Sequence, residues 1–230
     1  MIINHVCNVN NWVKPESIKG LKTLILGSFN PYNPNEVNTD YYYGRSSNYF
    51  WKAIASILEK KEDYFTSNLD NKLDVMEHYK FAFADVISSI NVINSENDNS
   101  IINQFIDDHI LTNFSDSKLF TTKHSKAKVV VERTYNSEII DLINQSNIQK
   151  VIHTMGNNTI KLNFKTQPSE KGLGIKGFQG YINTIKNSNL YFEPVSHSPS
   201  QITVHGGGEE YFFKLKNWLK ENLEINKYNK

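Results

Sequence analysis

The chain has 230 residues, 39% of them hydrophobic and 21% charged, with a net charge of +1. That length and balance allow one large α/β domain with a sizeable core. The near-neutral charge does not itself point to nucleic acid, nor does it forbid it, since lysines can cluster on one face; no apolar run is long enough to span a bilayer. The single cysteine, Cys7, excludes an internal disulfide and any zinc or iron–sulfur site built from cysteines. The polar start, with Asn8, Asn10 and Asn11, does not read as a signal peptide, so a cytoplasmic protein is expected.

Residues 1–20 lack clear periodicity and read as an N-terminal arm ahead of one domain over 21–230. Lys22 to Leu26 is short, apolar and stopped by Gly27, the pattern of a buried strand. Asn30 to Asp40 is a loop, with Pro31, Pro34 and several Asn as turn residues. Ser47 is a candidate N-cap for a helix through Lys60, whose apolar stripe is Phe50, Trp51, Ile54, Ile57 and Leu58. Phe81 to Ile87 reads as a second strand, and Asn91 to Ser100 as a polar surface loop. Helices are expected over Ile101–Leu111 and Ser137–Asn144. Lys150 to His153 is a short strand entering a turn at Thr154, and Leu190 to Val195 is the last strand. A helix from about Gly208 to Leu223 closes the fold, with Tyr211, Phe212, Leu215, Trp218 and Leu219 on its inner face. Strands alternating with helices predict an α/β fold, a mostly parallel sheet covered on both faces.

Two strand ends carry the polar residues from which chemistry can be built. Gly27-Ser28-Phe29-Asn30-Pro31 follows the first strand, and Ser196-His197-Ser198-Pro199-Ser200 follows the last. Open α/β folds bind ligands at the carboxyl ends of their strands, so the two stretches predict one crevice drawn from both halves of the chain. Other enzyme classes lack their signatures. There is no Gly-x-Ser-x-Gly elbow for a serine hydrolase. No Gly-x-Gly-x-x-Gly follows the first strand. The histidines show no ligand-like spacing beyond His197 and His205, so neither a metal nor another cofactor is expected.

The same stretches resemble the motifs of the uracil-DNA glycosylase superfamily. Gly27-Ser28-Phe29-Asn30-Pro31 is similar to the Gly-x-Asn-Pro turn of the mismatch-specific branch, with Ser28 where that branch carries Gly. Tyr42-Tyr43-Gly44-Arg45-Ser46-Ser47-Asn48-Tyr49-Phe50-Trp51 resembles the Asn-x-Phe-Trp helix start, and more closely its hypoxanthine-type form. Ala84-Asp85-Val86 resembles a Trp-Asp-Val segment, with Ala for Trp. Ser196-His197-Ser198-Pro199 resembles the second active-site loop. The resemblance implies a three-layer α/β/α sandwich with a central, mostly parallel sheet. It also implies a monofunctional enzyme that hydrolyses the N-glycosidic bond of a deaminated or modified base, uracil, hypoxanthine or related, and leaves an abasic site.

On that resemblance each residue has an expected role. Asn30 orients the attacking water, because an amide is too weak a base to take its proton. Asn48 is the rival for the main catalytic part, and His197 steadies the leaving base. Ser28, Phe29, Tyr43, Asn157 and Ser196 are expected around the extruded base, with an aromatic face available for stacking. Ser198, Pro199, Ser200, Gly206 and Gly207 are expected on the DNA backbone. Met155 stands where uracil readers carry an Asn, which leaves the base open. The implied partner is DNA, with no membrane and no metal, and the chain is expected to act as a monomer. Blander alternatives stand beside these: an Asn-Pro turn cap for Asn30, a first-turn helix residue for Asn48, a solvent-facing ring for His197. Two other functions fit the residues, a glycosylase-like module that binds nucleic acid or a modified nucleotide without cutting it, and an unrelated small-molecule enzyme.

Overall fold

The structure is a computed structural model, and it describes residues 1–66, 68–112, 114, 119, 123–145, 147–155, 190–193, 195–200 and 208–225. Among the described residues the strands form two four-stranded sheets. The first is wholly parallel. It holds β2 (Thr23–Gly27) between β3 (Phe81–Asp85) and β7 (Lys150–His153), with β8 (Tyr191–Phe192) at the edge. The second is antiparallel, in the order β1 (Ile2–Asn4), β4 (Ile87–Asn94), β6 (Val129–Tyr135), β5 (Lys123–His124). The protein is thus mixed α/β, but the single, mostly parallel central sheet expected from the sequence is not what the described residues form.

The difference has a local cause. The chain leaves β3 at Asp85, turns at Val86 and enters β4 one residue later, passing from one sheet to the other. Val86 and Ile87 donate backbone hydrogen bonds to the carbonyls of Gly27 and Ser28, so the crossing point is pinned to the end of β2. Within β4 the buried positions Ile87, Ile90, Val92 and Asn94 recur mostly at period two. This is the strand pattern of a half-buried sheet, hidden in the sequence under Ser and Asn, and it replaces the first part of the expected 91–100 loop. β6 alternates the same way, VVVERTY, with Val129, Val131, Arg133 and Tyr135 buried. Residues 1–20, read as an arm, contribute β1 and a short helix α1 (Val6–Val9), and bury Val6, Trp12 and Ile18.

Helices α2 (Phe50–Ile57), α3 (Leu69–Tyr79), α4 (Asn99–Ile106), α5 (Glu138–Gln145) and α6 (Gly208–Asn222) follow, with short 3-10 turns at Pro15–Ser17 and Ser125–Ala127. α3 has no clear apolar stripe in the sequence and buries only Lys72, Val75 and Met76. Asn68 caps it, accepting from the Asn71 N–H at 3.1 Å. α4 runs on as a π-helical segment, Asp107–Thr112. α6 buries Leu215, Trp218 and Leu219, as its pattern predicts, and packs on α2. No described helix is long and apolar enough to cross a membrane.

The loop between β2 and α2 is fastened from below. The Lys72 ammonium is fully buried and donates to both Asp40 oxygens, at 2.8 and 2.7 Å. Asp40 itself keeps 40% of its side chain exposed. The two halves of this pair are therefore unequal. Asp40→Ala strands a buried cation and should cost about 3–5 kcal/mol. Lys72→Met leaves a carboxylate that water can reach and should cost less than about 1.5 kcal/mol. Chemical denaturation of the two variants gives the order; a greater loss from Lys72→Met would contradict it.

Candidate active site

The parallel strands end in one row. Gly27 of β2 stands in register with Asp85 of β3, Leu26 pairs with His153 of β7, and the next residue, Thr154, donates its N–H to the Leu26 carbonyl. Above that row lies a cavity of ≈ 300 Å³. Ser28, Phe29 and Asn30 reach it from the β2 turn, Tyr43, Arg45 and Asn48 from the loop before α2, and Ser198, Pro199 and Ser200 from the far end of the chain. The predicted crevice at the strand ends is therefore present, and both halves of the chain build it. The Tyr49 N–H donates to the Pro199 carbonyl at 3.2 Å, which ties the late loop to the start of α2.

Asp85 forms the floor. It is 3% exposed, and its Oδ2 accepts from His5 Nε2 at 2.6 Å and from Asn30 Nδ2 at 2.8 Å. A carboxylate only accepts, so the Asn30 amide is oriented with its nitrogen toward Asp85 and its Oδ1 turned away. The backbone makes the same connection. Val6 N–H donates to the Asn30 carbonyl, Tyr32 N–H to the Asn4 carbonyl, and His5 bridges Pro31. The N-terminal segment thus clamps the Asn30-Pro31 turn. Gly27 is required beneath it: a Cβ there would run into Asp85 Oδ1 and come within 3.0 Å of the Tyr43 hydroxyl.

Tyr43 is fixed on three sides. Its φ of 56° is in the left-handed region, costly for a bulky residue. Its ring stacks on Phe50 with centroids 4.9 Å apart, and its hydroxyl is 2.6 Å from Thr154 Oγ1. Phe50 is wholly buried behind it. Asn48 lines the cavity, and its Oδ1 accepts from the Phe50 N–H at 2.9 Å, which directs its Nδ2 elsewhere. The helix starts at Phe50, so Asn48 rather than the expected Ser47 satisfies its first donors. Phe29 is 3% exposed and meets the His5 ring edge-on at 5.5 Å.

Not every expected residue joins them. His197 is not among the residues lining the cavity; its ring packs edge-on against Tyr211 and Trp218. Burial, with the positive charge of Lys214, holds its pKa below the ordinary value against a weaker pull from Glu193. Ser196 is buried and likewise does not line the cavity. Asn157, Gly206 and Gly207 lie outside the described residues. Asp85 and Thr154 at the floor, and Arg45 at the mouth, are additions to the expected set. Asp85 carried a signal, a lone acid closing the apolar run Phe81-Ala82-Phe83-Ala84. His5 carried none, since nothing in its neighbours reveals that it is buried.

A larger cavity, ≈ 560 Å³, lies on the other side of the Asp85–His5 pair, between the N-terminal segment and α5. The site is assigned to the smaller one, because there the parallel strand ends and the late loop converge. Among the described residues, no three His, Cys, Asp or Glu are grouped to hold a metal ion.

No protein-family model matches the chain, and no curated protein does. Among solved structures it is similar to a solution NMR structure from Methanosarcina acetivorans named a "putative Uracil DNA glycosylase". The two are 12% identical over 90% of this chain and 93% of that one, with a TM-score of 0.48. A likeness of that depth decides neither fold nor activity, so function has to be argued from this chain's own residues.

His5 offers a test of the floor. Burial works against a charged ring, but the hydrogen bond and charge of Asp85, with the Cys7 side chain acting the same way, outweigh it and push the pKa up to about 9. The Cys7 backbone N–H, donating to Nδ1 at 3.0 Å, resists that second proton. A folded-state pKa above 6.5 gives stability that is full below pH 6.5 and lost as pH rises through about 9. Denaturant unfolding should show that decline in the wild type and a flatter profile in His5→Gln. A flat wild-type profile would mean that the Cys7 N–H keeps the ring neutral throughout.

Proposed function

We propose that the protein is a DNA base glycosylase, one that hydrolyses the N-glycosidic bond of a deaminated or modified base turned out of the duplex into this cavity. The observation that carries the reading is the joining of Asn30 and the Ser198-Pro199-Ser200 loop around one cavity at the strand ends. Those belong to two of the four segments that resemble the glycosylase superfamily, and 167 residues of sequence lie between Asn30 and Ser198.

The chemistry follows from the donors and acceptors. Breaking the bond sends its electron pair to the base and leaves an electron-poor sugar carbon that water must reach. Asn30, its nitrogen held by Asp85, turns an amide oxygen that can accept from that water. Asn48, its oxygen held by the Phe50 N–H, has its nitrogen to offer to an oxygen of the departing base, where negative charge gathers. Phe29 gives an apolar wall, and Tyr43, locked by Phe50 and Thr154, sets the depth to which a substituted base can enter. Ser198 and Ser200, 3.0 Å apart through their hydroxyls, stand at the rim with Arg45, suited to phosphate oxygens. His197 supports that rim from behind, against Tyr211 and Trp218.

Asn30→Ala removes the water-orienting amide and leaves the cavity open. Its single-turnover excision, read as alkali-labile sites in end-labelled strands carrying uracil or hypoxanthine, should fall about a hundredfold or more, while the protein still unfolds cooperatively, at a somewhat lower temperature because Asp85 loses one of its two donors. Equal rates in variant and wild type would remove Asn30 from the mechanism. A wild type that binds these strands and leaves them uncut would favour the alternative, a module that recognises nucleic acid without cleavage.

A further inference from the structure

An amide can orient water but cannot take its proton, so a site built on Asn30 needs a base. One acid lies within hydrogen-bond distance of Asn30. Asp85 Oδ2 is occupied by Asn30 and His5, at 2.8 and 2.6 Å. Its Oδ1 fills the space over Gly27 that any larger residue would take, beside the Tyr43 hydroxyl, and Gly27, Tyr43 and Asp85 all line the cavity. The carboxylate is thus gripped by one oxygen and presented by the other. His5 is itself fixed: buried, with Nδ1 3.0 Å from the Cys7 backbone nitrogen and Nε2 facing Asp85. Among the described residues, the phenols of Tyr42 and Tyr43 also lie close to the carboxylate, the Cys7 thiol acts on His5 and Tyr42, and Arg45 brings a cation to the cavity's lining.

We infer that Asp85 is the base that accepts the proton of the attacking water, while Asn30 orients that water and His5 positions the carboxylate. The inference rests on the glycosylase reading of the cavity. In the step, the C1′–N bond breaks and its pair leaves with the base as an anion. The water oxygen bonds to C1′, and its proton goes to Asp85 Oδ1. The protonated acid then passes its proton to the departed base or to solvent, which restores the carboxylate. The negative charge of the buried carboxylate also faces the cationic sugar as it forms. Asp85 is the catalytic residue here. His5 acts through it.

Asp85→Asn keeps the shape and removes the base. Excision should drop about a hundredfold or more, with affinity for an uncleavable duplex within threefold of wild type. Formate should restore part of the activity of Asp85→Ala, which a structural role would not allow. His5→Gln, which can still donate to Oδ2, should keep more activity than His5→Ala. An Asp85→Asn rate within threefold of wild type overturns the inference. A second measurement needs neither turnover nor a variant. The wild type should bind a duplex carrying a cationic pyrrolidine abasic analogue about tenfold tighter, or more, than one carrying neutral tetrahydrofuran. Equal binding of the two overturns the inference as well. If the wild type excises no base, the glycosylase reading fails; the analogue preference, and its loss in Asp85→Asn, then decides separately whether Asp85 supplies the charge.

Discussion

The carboxylate of Asp85 joins the ends of three strands. It closes β3, it accepts from the residue after β1, and it accepts from the turn after β2. These strands belong to two different sheets. A buried carboxylate is expensive unless its oxygens are satisfied, and the two donors that satisfy this one come from segments that are also joined to each other by backbone hydrogen bonds, Val6 N–H to the Asn30 carbonyl and Tyr32 N–H to the Asn4 carbonyl. The N-terminal segment is drawn onto the Asn30-Pro31 turn, and the turn is drawn onto the strand ends. The side chain that makes the fold close at this point is thus the one that forms the floor of the cavity.

The wall opposite is set by a different device. The loop from Pro31 to Tyr49 holds no strand or helix beyond an isolated bridge at Pro31, and it would be mobile without anchors. It has three. Lys72 grips Asp40 from α3, Trp51 Nε1 donates to the Tyr42 carbonyl at 2.7 Å, and Tyr43 lies flat on Phe50. Between them these contacts pay for the left-handed backbone at Tyr43. Tyr41 and Tyr42 of this loop and Phe50, Trp51 and Phe83 against them are almost wholly buried, so the wall rests on the main core.

Much of this architecture was legible in the sequence, and the losses have physical reasons. β2 and β7 were found within a residue because parallel strands buried on both faces read as continuous apolar runs. α6 was found because its apolar stripe is clean. The antiparallel sheet was missed because its outward positions include Ser, Asn, Glu and Thr, which read as loop when the alternating Ile and Val are not counted. α3 was missed because a buried lysine occupies its core face. In the site, the Asn-Pro turn and the Ser-Pro loop showed themselves as polar strand ends. Their partner Asp85 was visible as a motif but not as a hub, and His5 became part of the site only through an 80-residue separation that no local pattern encodes.

The central claim is that a base enters the cavity over Gly27 and Asp85 and loses its bond to the sugar there. It is tested most directly by incubating excess protein with single- and double-stranded oligonucleotides carrying uracil, hypoxanthine, xanthine, mismatched thymine or hydroxymethylated pyrimidines, and weighing every strand by mass spectrometry. The account predicts that at least one modified strand loses the mass of its base and gains that of a hydroxyl, with the free base in solution and the unmodified control unchanged. Strands that are bound and recovered with every base in place would contradict it.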